Sequence, residues 1–136
     1  KKQKNYAEAY QQWEKACVVC PEKVQESLYS NGAIFIKSEI KGTIASGDME
    51  RKAVLVDSLM WVYDKRMELF PTTTKKPNNR CHVLGRKASD YYRYFKDSPE
   101  IANDMFKETI DCLKANSSAS TLSGYYVTSF YTMKAV

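Results

Sequence analysis

The sequence predicts an all-α fold of about six helices arranged as stacked antiparallel hairpins. Only five Gly and four Pro interrupt 136 residues, so the segments between them are long. Apolar residues recur at spacings of three and four, and no stretch shows the sustained two-residue alternation of a strand. The polar links are mostly short, which places successive helices side by side and antiparallel.

The first three predicted helices are bounded by residues that stop or start helices. The first covers Asn5–Cys20 and ends before Pro21. The second runs from about Lys23 to Ser46, where Gly47-Asp48 offers a left-handed C-terminal cap and then an N-cap. The third runs from about Met49 to Leu69 and is apolar on much of its circumference, which predicts packing on more than one side.

The second half of the chain predicts three further helices. Residues 71–80 are rich in Thr, Lys, Pro and Asn and predict a loop. A fourth helix is predicted over about Cys81–Lys96. Ser98-Pro99-Glu100 predicts the start of a fifth, with Ser98 as its N-cap. A sixth is predicted to begin near Thr121, after a polar link.

Composition and chain ends limit the class of protein. The chain is 43% hydrophobic and 27% charged, which is typical of a globular domain and excludes a disordered one. No apolar run approaches the roughly 18 residues that span a bilayer. The chain begins without Met or a secretory signal and ends within a helical pattern. We therefore expect residues 1–136 to be a single helical-repeat fragment of a longer protein. The compartment is not determined by these residues, and we favour export after loss of a signal peptide.

The excess positive charge is concentrated in one stretch. Residues 71–96 contain seven basic residues against one acidic residue, while the chain as a whole carries +5. A solvated loop and helix face would explain this, and so would a patch for an acidic partner, a phosphate or a membrane surface. Tyr91, Tyr92 and Tyr94 lie in the same stretch, and aromatic residues among basic ones could also stack nucleic-acid bases.

The segment NYAEAYQQWEKACVVCP, residues 5–21, resembles the second helix of a tetratricopeptide repeat. The family's aromatic, small and closing residues match, in order, Tyr6, Ala9, Trp13, Ala16 and Pro21. The next helix resembles a first helix of that unit, with its large, close-contact and aromatic positions at Leu28, Gly32 and Phe35. Gly85 and Gly124 repeat the glycine position at spacings longer than the family's, so the repeats are degenerate. Such repeats are similar to those of Bacteroides-group bacterial proteins, many of them exported.

The resemblance implies a groove, lined by the first helix of each pair, that binds a partner peptide. Carried over from the glycine positions and joined by Arg93 of the basic stretch, the partner-binding residues would be Tyr29, Ala33, Ile36, Lys37, His82, Arg86, Ser89, Arg93 and Tyr125. A basic and aromatic mixture suits an acidic segment or a C-terminal carboxylate. We therefore predict a protein-interaction scaffold, with a nucleic-acid-binding helical repeat as the alternative.

The residues that carry chemistry form no catalytic set in this sequence. Cys17 and Cys20 have metal-like spacing but lie at a helix C-terminus, where the helix dipole disfavours a thiolate. A zinc site would need Cys81 and His82, which are adjacent and chelate poorly. Burial, a disulfide and a metal remain the alternatives for Cys17 and Cys20. The glycines are scattered, so no phosphate loop is present. We expect no enzymatic activity, no cofactor and no metal.

Overall fold

The structure is a computed structural model that describes residues 6–19 and 25–134, with the side chains of Cys17, Val18 and Val19 left aside. These residues form six α-helices and one short 3-10 helix, and none of them lies in a β-strand. The predicted all-α class and the number of helices are confirmed. The helices are α1 (Tyr6–Val19), α2 (Glu26–Ser46), α3 (Met49–Leu69), α4 (Asn79–Tyr94), α5 (Pro99–Leu113) and α6 (Ala119–Lys134), with the 3-10 helix (Lys114–Asn116) after α5. No helix in this part of the chain is long and apolar enough to cross a bilayer.

The chain divides into two compact units. Unit one ends at Arg66 and contains α1, α2 and most of α3. Unit two begins at Met67 and contains α4, α5 and α6. Each unit is therefore built on three successive helices.

In unit one, α2 packs antiparallel to both of its neighbours. Glu26 at the start of α2 pairs with Arg66 near the end of α3 at 3.5 Å, while Glu39 further along pairs with Arg51 at 3.6 Å. Towards α1, the indole N–H of Trp13 donates a hydrogen bond to the main-chain carbonyl oxygen of Leu28 in α2 at 2.8 Å. Successive helices of this unit thus form hairpins, as the short links predict.

Unit two repeats the antiparallel order. Arg80 at the start of α4 lies 3.4 Å from Glu108 late in α5. Early in α5, the amide of Asn103 donates to the hydroxyl of Ser129 near the end of α6, at 2.8 Å. Phe106 is buried at the centre of the unit, and a Cβ atom added at Gly124 of α6 would overlap its ring. The glycine therefore lets α5 and α6 approach each other closely.

The helix ends follow the predicted signals in part. Gly47 has φ +79°, and the Asp48 carboxylate accepts the main-chain N–H of Arg51 at 3.1 Å, as expected of a C-terminal cap followed by an N-cap. Ser98 was expected to cap α5, but its side chain makes no capping hydrogen bond, and Pro99 opens the helix. Ser118 instead caps α6 by accepting the N–H of Thr121 at 3.1 Å, so this helix starts two residues before the predicted position.

Helix α3 buries one broad face rather than its whole circumference. The buried residues are Leu55, Val56, Leu59, Val62, Tyr63 and Arg66, which recur at spacings of three and four. Val54 and Trp61 lie outside this face and are exposed, although both are apolar. The prediction of packing on more than one side, which included Val54, is therefore wrong at that residue.

Candidate functional site

An open groove of about 590 Å³ lies between α1 and α3 in unit one. Helix α1 contributes three residues and helix α3 contributes four; the lining residues are Tyr10, Trp13, Glu14, Val54, Asp57, Ser58 and Trp61. Their spacings of three, four and seven place each set on one side of its helix. We call this feature the α1/α3 groove.

One wall of the α1/α3 groove is fixed by the packing of unit one. Trp13 is only 7% exposed, and its indole N–H donates to the carbonyl oxygen of Leu28 at 2.8 Å. Its ring lies against Gly32, where a Cβ atom would overlap it. Tyr10 lies next to it, with the two ring centroids 5.9 Å apart and the planes inclined by 26°. The α1 side of the groove is therefore a preformed aromatic surface.

The opposite wall offers a free aromatic side chain. Trp61 is 45% exposed on α3. Val54, seven residues earlier on the same helix, is also exposed. The hydroxyl of Ser58, between them, donates to the carbonyl oxygen of Val54 at 3.2 Å. An exposed indole facing a groove is the kind of side chain that binding surfaces use, because it buries a large apolar area with few rotatable bonds.

The charge of the groove is negative. Glu14 and Asp57 are both exposed at its lining, and none of the lining residues is basic. Arg51 lies near enough to influence Tyr10, but its guanidinium is paired with Glu39 at 3.6 Å. Burial raises the pKa of the Tyr10 hydroxyl, the Glu14 carboxylate raises it further, and Arg51 partly opposes them. The Tyr10 hydroxyl therefore stays neutral at physiological pH.

Four of the partner-binding residues predicted from sequence lie on α2, outside the α1/α3 groove. Tyr29, Ala33 and Ile36 are buried, with Ile36 fully enclosed. Side chains in such positions pack the helices together, and a partner site at these residues stays a prediction. Lys37 is half-buried and already interacts within the chain.

The other predicted residues belong to unit two. His82, Arg86, Ser89 and Arg93 follow one another at spacings of four, three and four, so they form a stripe along α4. Arg86 and Arg93 are exposed, while His82 and Ser89 are half-buried. Tyr125 lies on α6 and packs against the cluster of Ala88, Ala102 and Phe106. A partner site along the α4 stripe stays a prediction.

The cysteines of unit two form a disulfide that the sequence did not identify. Cys81 in α4 is bonded to Cys112 in α5. Cys81 is therefore neither a thiolate ligand for zinc nor a free nucleophile beside His82. The side chain of Cys17 and the whole of Cys20 lie outside the described residues. Within the residues described, no cluster of three or more His, Cys, Asp or Glu could hold a metal ion.

The groove residues were not predicted from sequence, although a signal for them is present. Val54 and Trp61 are seven residues apart on α3, on the side where charged residues such as Asp57 and Asp64 also occur. Apolar side chains at helical spacing within a polar face are the pattern of an exposed apolar patch, which marks interaction sites.

Comparison of the chain with protein-family models, with curated proteins and with solved structures finds no match.

Proposed function

We propose that this chain is a protein-interaction scaffold whose α1/α3 groove binds a segment of a partner protein. The observation that carries the proposal is the pairing of a fixed aromatic wall, Tyr10 and Trp13, with the exposed indole of Trp61 across an open groove. Its volume of about 590 Å³ is in the range of sites that take a few side chains of a ligand. A preformed aromatic site loses little conformational entropy when it binds.

We also propose that the hairpins stack in the manner of tetratricopeptide repeats. The support comes from the glycines that the resemblance singled out as close-contact positions. Gly32 lies against the ring of Trp13, and Gly124 lies against the ring of Phe106. A Cβ atom added at Gly85 would lie 3.2 Å from the methyl group of Thr109 in α5. In each case the glycine sits where a neighbouring helix places a side chain against its backbone.

Binding is favoured over catalysis by the chemistry of the groove. Its serine hydroxyl, Ser58, donates to a main-chain carbonyl of its own helix at 3.2 Å, and a nucleophilic serine needs a base as that partner. The Glu14 and Asp57 carboxylates are both exposed to water, whereas catalytic carboxyl groups are commonly found in sites shielded from it.

The test is selection of binding peptides from a displayed random library, followed by affinity measurements with single variants. Trp61→Leu removes the exposed indole, and we expect it to weaken the selected peptides by roughly tenfold or more, as an interface hot spot does. Phe130→Leu is the matched control, since Phe130 is exposed on α6 in unit two. Peptides whose affinity is unchanged by Trp61→Leu would show that the groove is not the binding site.

The α4 stripe supports a second candidate, an acidic partner. Arg86 and Arg93 are exposed at a spacing of seven, so both cations can face one acidic segment. Arg86→Glu should abolish binding of such a partner, whereas Lys37→Glu on α2 tests the groove that the resemblance implies.

The nucleic-acid alternative has less support, because Tyr91 and Tyr92 pack against the core cluster of unit two. A gel-shift assay at low salt tests it, since phosphate binding weakens steeply with salt.

We infer that the chain works in an oxidising compartment. The support is the Cys81–Cys112 disulfide, because such bonds persist in exported and extracellular proteins and are rare in the cytosol. Alkylation of the protein isolated from its own cells under denaturing, non-reducing conditions tests this. Modification of both Cys81 and Cys112 without prior reduction would contradict it.

A further inference from the structure

We propose that the α1/α3 groove recognises a cationic side chain of its partner, a lysine or an arginine, held over the aromatic faces and between Glu14 and Asp57. This inference rests on the proposed function, and it names the class of partner that the groove takes. The aromatic faces, the carboxylates and the balance of hydrogen-bond donors and acceptors each favour such a ligand.

The aromatic faces favour a cation. The negative face of an indole or phenol ring attracts an ammonium or guanidinium group, by about 0.5–1 kcal/mol at an exposed site and more where water is excluded. Both tryptophans of the chain line this groove, and Tyr10 lies beside Trp13 with its ring close to parallel. Trp61 presents an exposed ring on the opposite helix. An ion entering the groove therefore meets ring surface from both α1 and α3.

The carboxylates set the sign of the ligand. Glu14 comes from α1 and Asp57 from α3, so each wall of the groove contributes one negative charge. Among the residues that the structure describes, none that lines the groove is basic, and the guanidinium of Arg51 nearby is already paired with Glu39. A glutamate or aspartate entering the groove would be repelled. A purely apolar side chain would cover the carboxylates without pairing them, which costs free energy.

The hydrogen-bonding capacity of the groove points the same way. The indole N–H of Trp13 is used by the carbonyl oxygen of Leu28, and the hydroxyl of Ser58 donates to that of Val54. The carboxylates of Glu14 and Asp57 can only accept hydrogen bonds when ionised. The other donors at the lining are the indole N–H of Trp61 and the hydroxyl of Tyr10, and the four oxygens of the two carboxylates outnumber them, so acceptors are in excess. A lysine ammonium has three donors and no acceptor, and an arginine guanidinium has five, so either matches this excess better than a sugar, whose hydroxyls both donate and accept.

The two tryptophans make the groove directly observable. Because both line it, indole fluorescence excited selectively over tyrosine reports on the groove alone. The probes are four pools of seven-residue peptides with randomised flanks and a fixed central residue: lysine, arginine, norleucine or glutamate. Norleucine keeps the length of lysine without its charge. We expect the lysine or arginine pool to bind at least fivefold more tightly than the norleucine pool at low ionic strength, and the glutamate pool to bind most weakly.

Charge-neutralising variants test whether the carboxylates of the groove cause the preference for cationic peptides. Glu14→Gln combined with Asp57→Asn keeps the size of both exposed side chains, so the fold is retained, as circular dichroism will check. We expect this double variant to lose roughly tenfold in affinity for the cationic pools and to bind the norleucine pool as before. Glu50→Gln is the matched control, because Glu50 is an exposed acid of α3 that does not line the groove.

The possible failures are distinguishable. If the norleucine pool binds as tightly as the lysine pool, or the double variant keeps its affinity for lysine, the cationic partner is wrong while a peptide-binding groove remains. If neutral oligosaccharides change the indole fluorescence and displace the peptides, a sugar is the ligand and the cationic partner is overturned. If no pool changes the fluorescence and the displayed library yields no binder, the proposed function fails with it.

Discussion

The indole of Trp13 lies directly against the backbone of Gly32 on the neighbouring helix, with no room for a side chain between them. The same ring donates to the carbonyl oxygen of Leu28, one turn earlier on α2. Trp13 therefore has two roles at once. It closes the α1–α2 contact, and one side of it forms the fixed wall of the α1/α3 groove. Packing and the proposed binding site depend on one side chain.

The contact predicts that Gly32→Ala destabilises unit one. In an open helical position, replacing Gly by Ala stabilises by about 1 kcal/mol, because Gly is the poorer helix former. At Gly32 the new methyl would overlap the ring of Trp13, and overpacking of this kind costs roughly 1–3 kcal/mol. We expect a net loss in the free energy of unfolding, measured by urea denaturation followed through indole fluorescence.

Gly42→Ala is the control within the same helix. Nothing lies within 4 Å of a Cβ atom at Gly42, so this substitution should stabilise by about 0.5–1 kcal/mol. A stabilising effect of Gly32→Ala equal to that of Gly42→Ala would show that α1 does not pack against α2 at this point.

The Cys81–Cys112 disulfide predicts that reducing agents destabilise unit two. It joins residues 31 positions apart, and closing a loop of that length in the unfolded chain is worth about 3–4 kcal/mol by the chain-entropy model. We expect reduction to increase amide hydrogen exchange in α4 and α5. The variant with Cys81→Ser and Cys112→Ser should behave like the reduced protein and should not respond to reductant. Identical exchange with and without reductant in the unsubstituted protein would contradict this.

The ion pairs of the two units predict that neutralising the glutamate lowers the free energy of unfolding by unequal amounts. The side chain of Arg66 is 10% exposed and that of Glu26 is 28% exposed, so the pair is shielded from solvent. Glu26→Gln would leave the guanidinium buried without its counter-charge, and we expect a loss of about 1–3 kcal/mol. Arg80 and Glu108 are both exposed, and Glu108→Gln should change the free energy of unfolding by less than about 1 kcal/mol. Equal effects of the two substitutions, measured by urea denaturation, would argue against a buried Arg66.

Local signals predicted the helices well because they act within a few residues. The bounds of α3 coincide with the prediction, since Gly47 and Pro71 act through local backbone geometry and Asp48 through a side-chain cap three residues away. Ser98 does not cap α5. Its backbone adopts φ −122° and ψ 64°, and its side chain makes no capping hydrogen bond to the helix.

The candidate site could not be predicted in the same way, because it combines residues from helices that are not consecutive. Trp13 of α1 and Trp61 of α3 meet across a groove only once α2 has packed against both helices. The resemblance pointed to Tyr29 and Ile36 on α2, which that packing buries. The pairing of Cys81 with Cys112 likewise depends on the register of α4 against α5, which periodicity does not determine.

The electrostatics of the α1/α3 groove predict the ionisation of Tyr10. Burial and then the carboxylate of Glu14 raise its pKa above the ordinary value of 10.0. Because the folded state holds the proton more tightly than the unfolded state, the stabilising contribution is complete below about pH 10 and is lost as the pH rises through the folded-state pKa. Glu14→Gln removes the second cause and leaves the first, so the pKa of Tyr10 should fall but remain above 10.0.

Titration of the Tyr10 ring by NMR with carbon-labelled tyrosine measures this pKa directly. Glu50→Gln serves again as the control, because Glu50 is not among the charges that influence Tyr10. Its titration curve for Tyr10 should coincide with that of the unsubstituted protein. An unchanged or higher pKa of Tyr10 in Glu14→Gln would mean that the Glu14 carboxylate points away from the groove, and the negative charge proposed to select a cationic partner would then come from Asp57 alone.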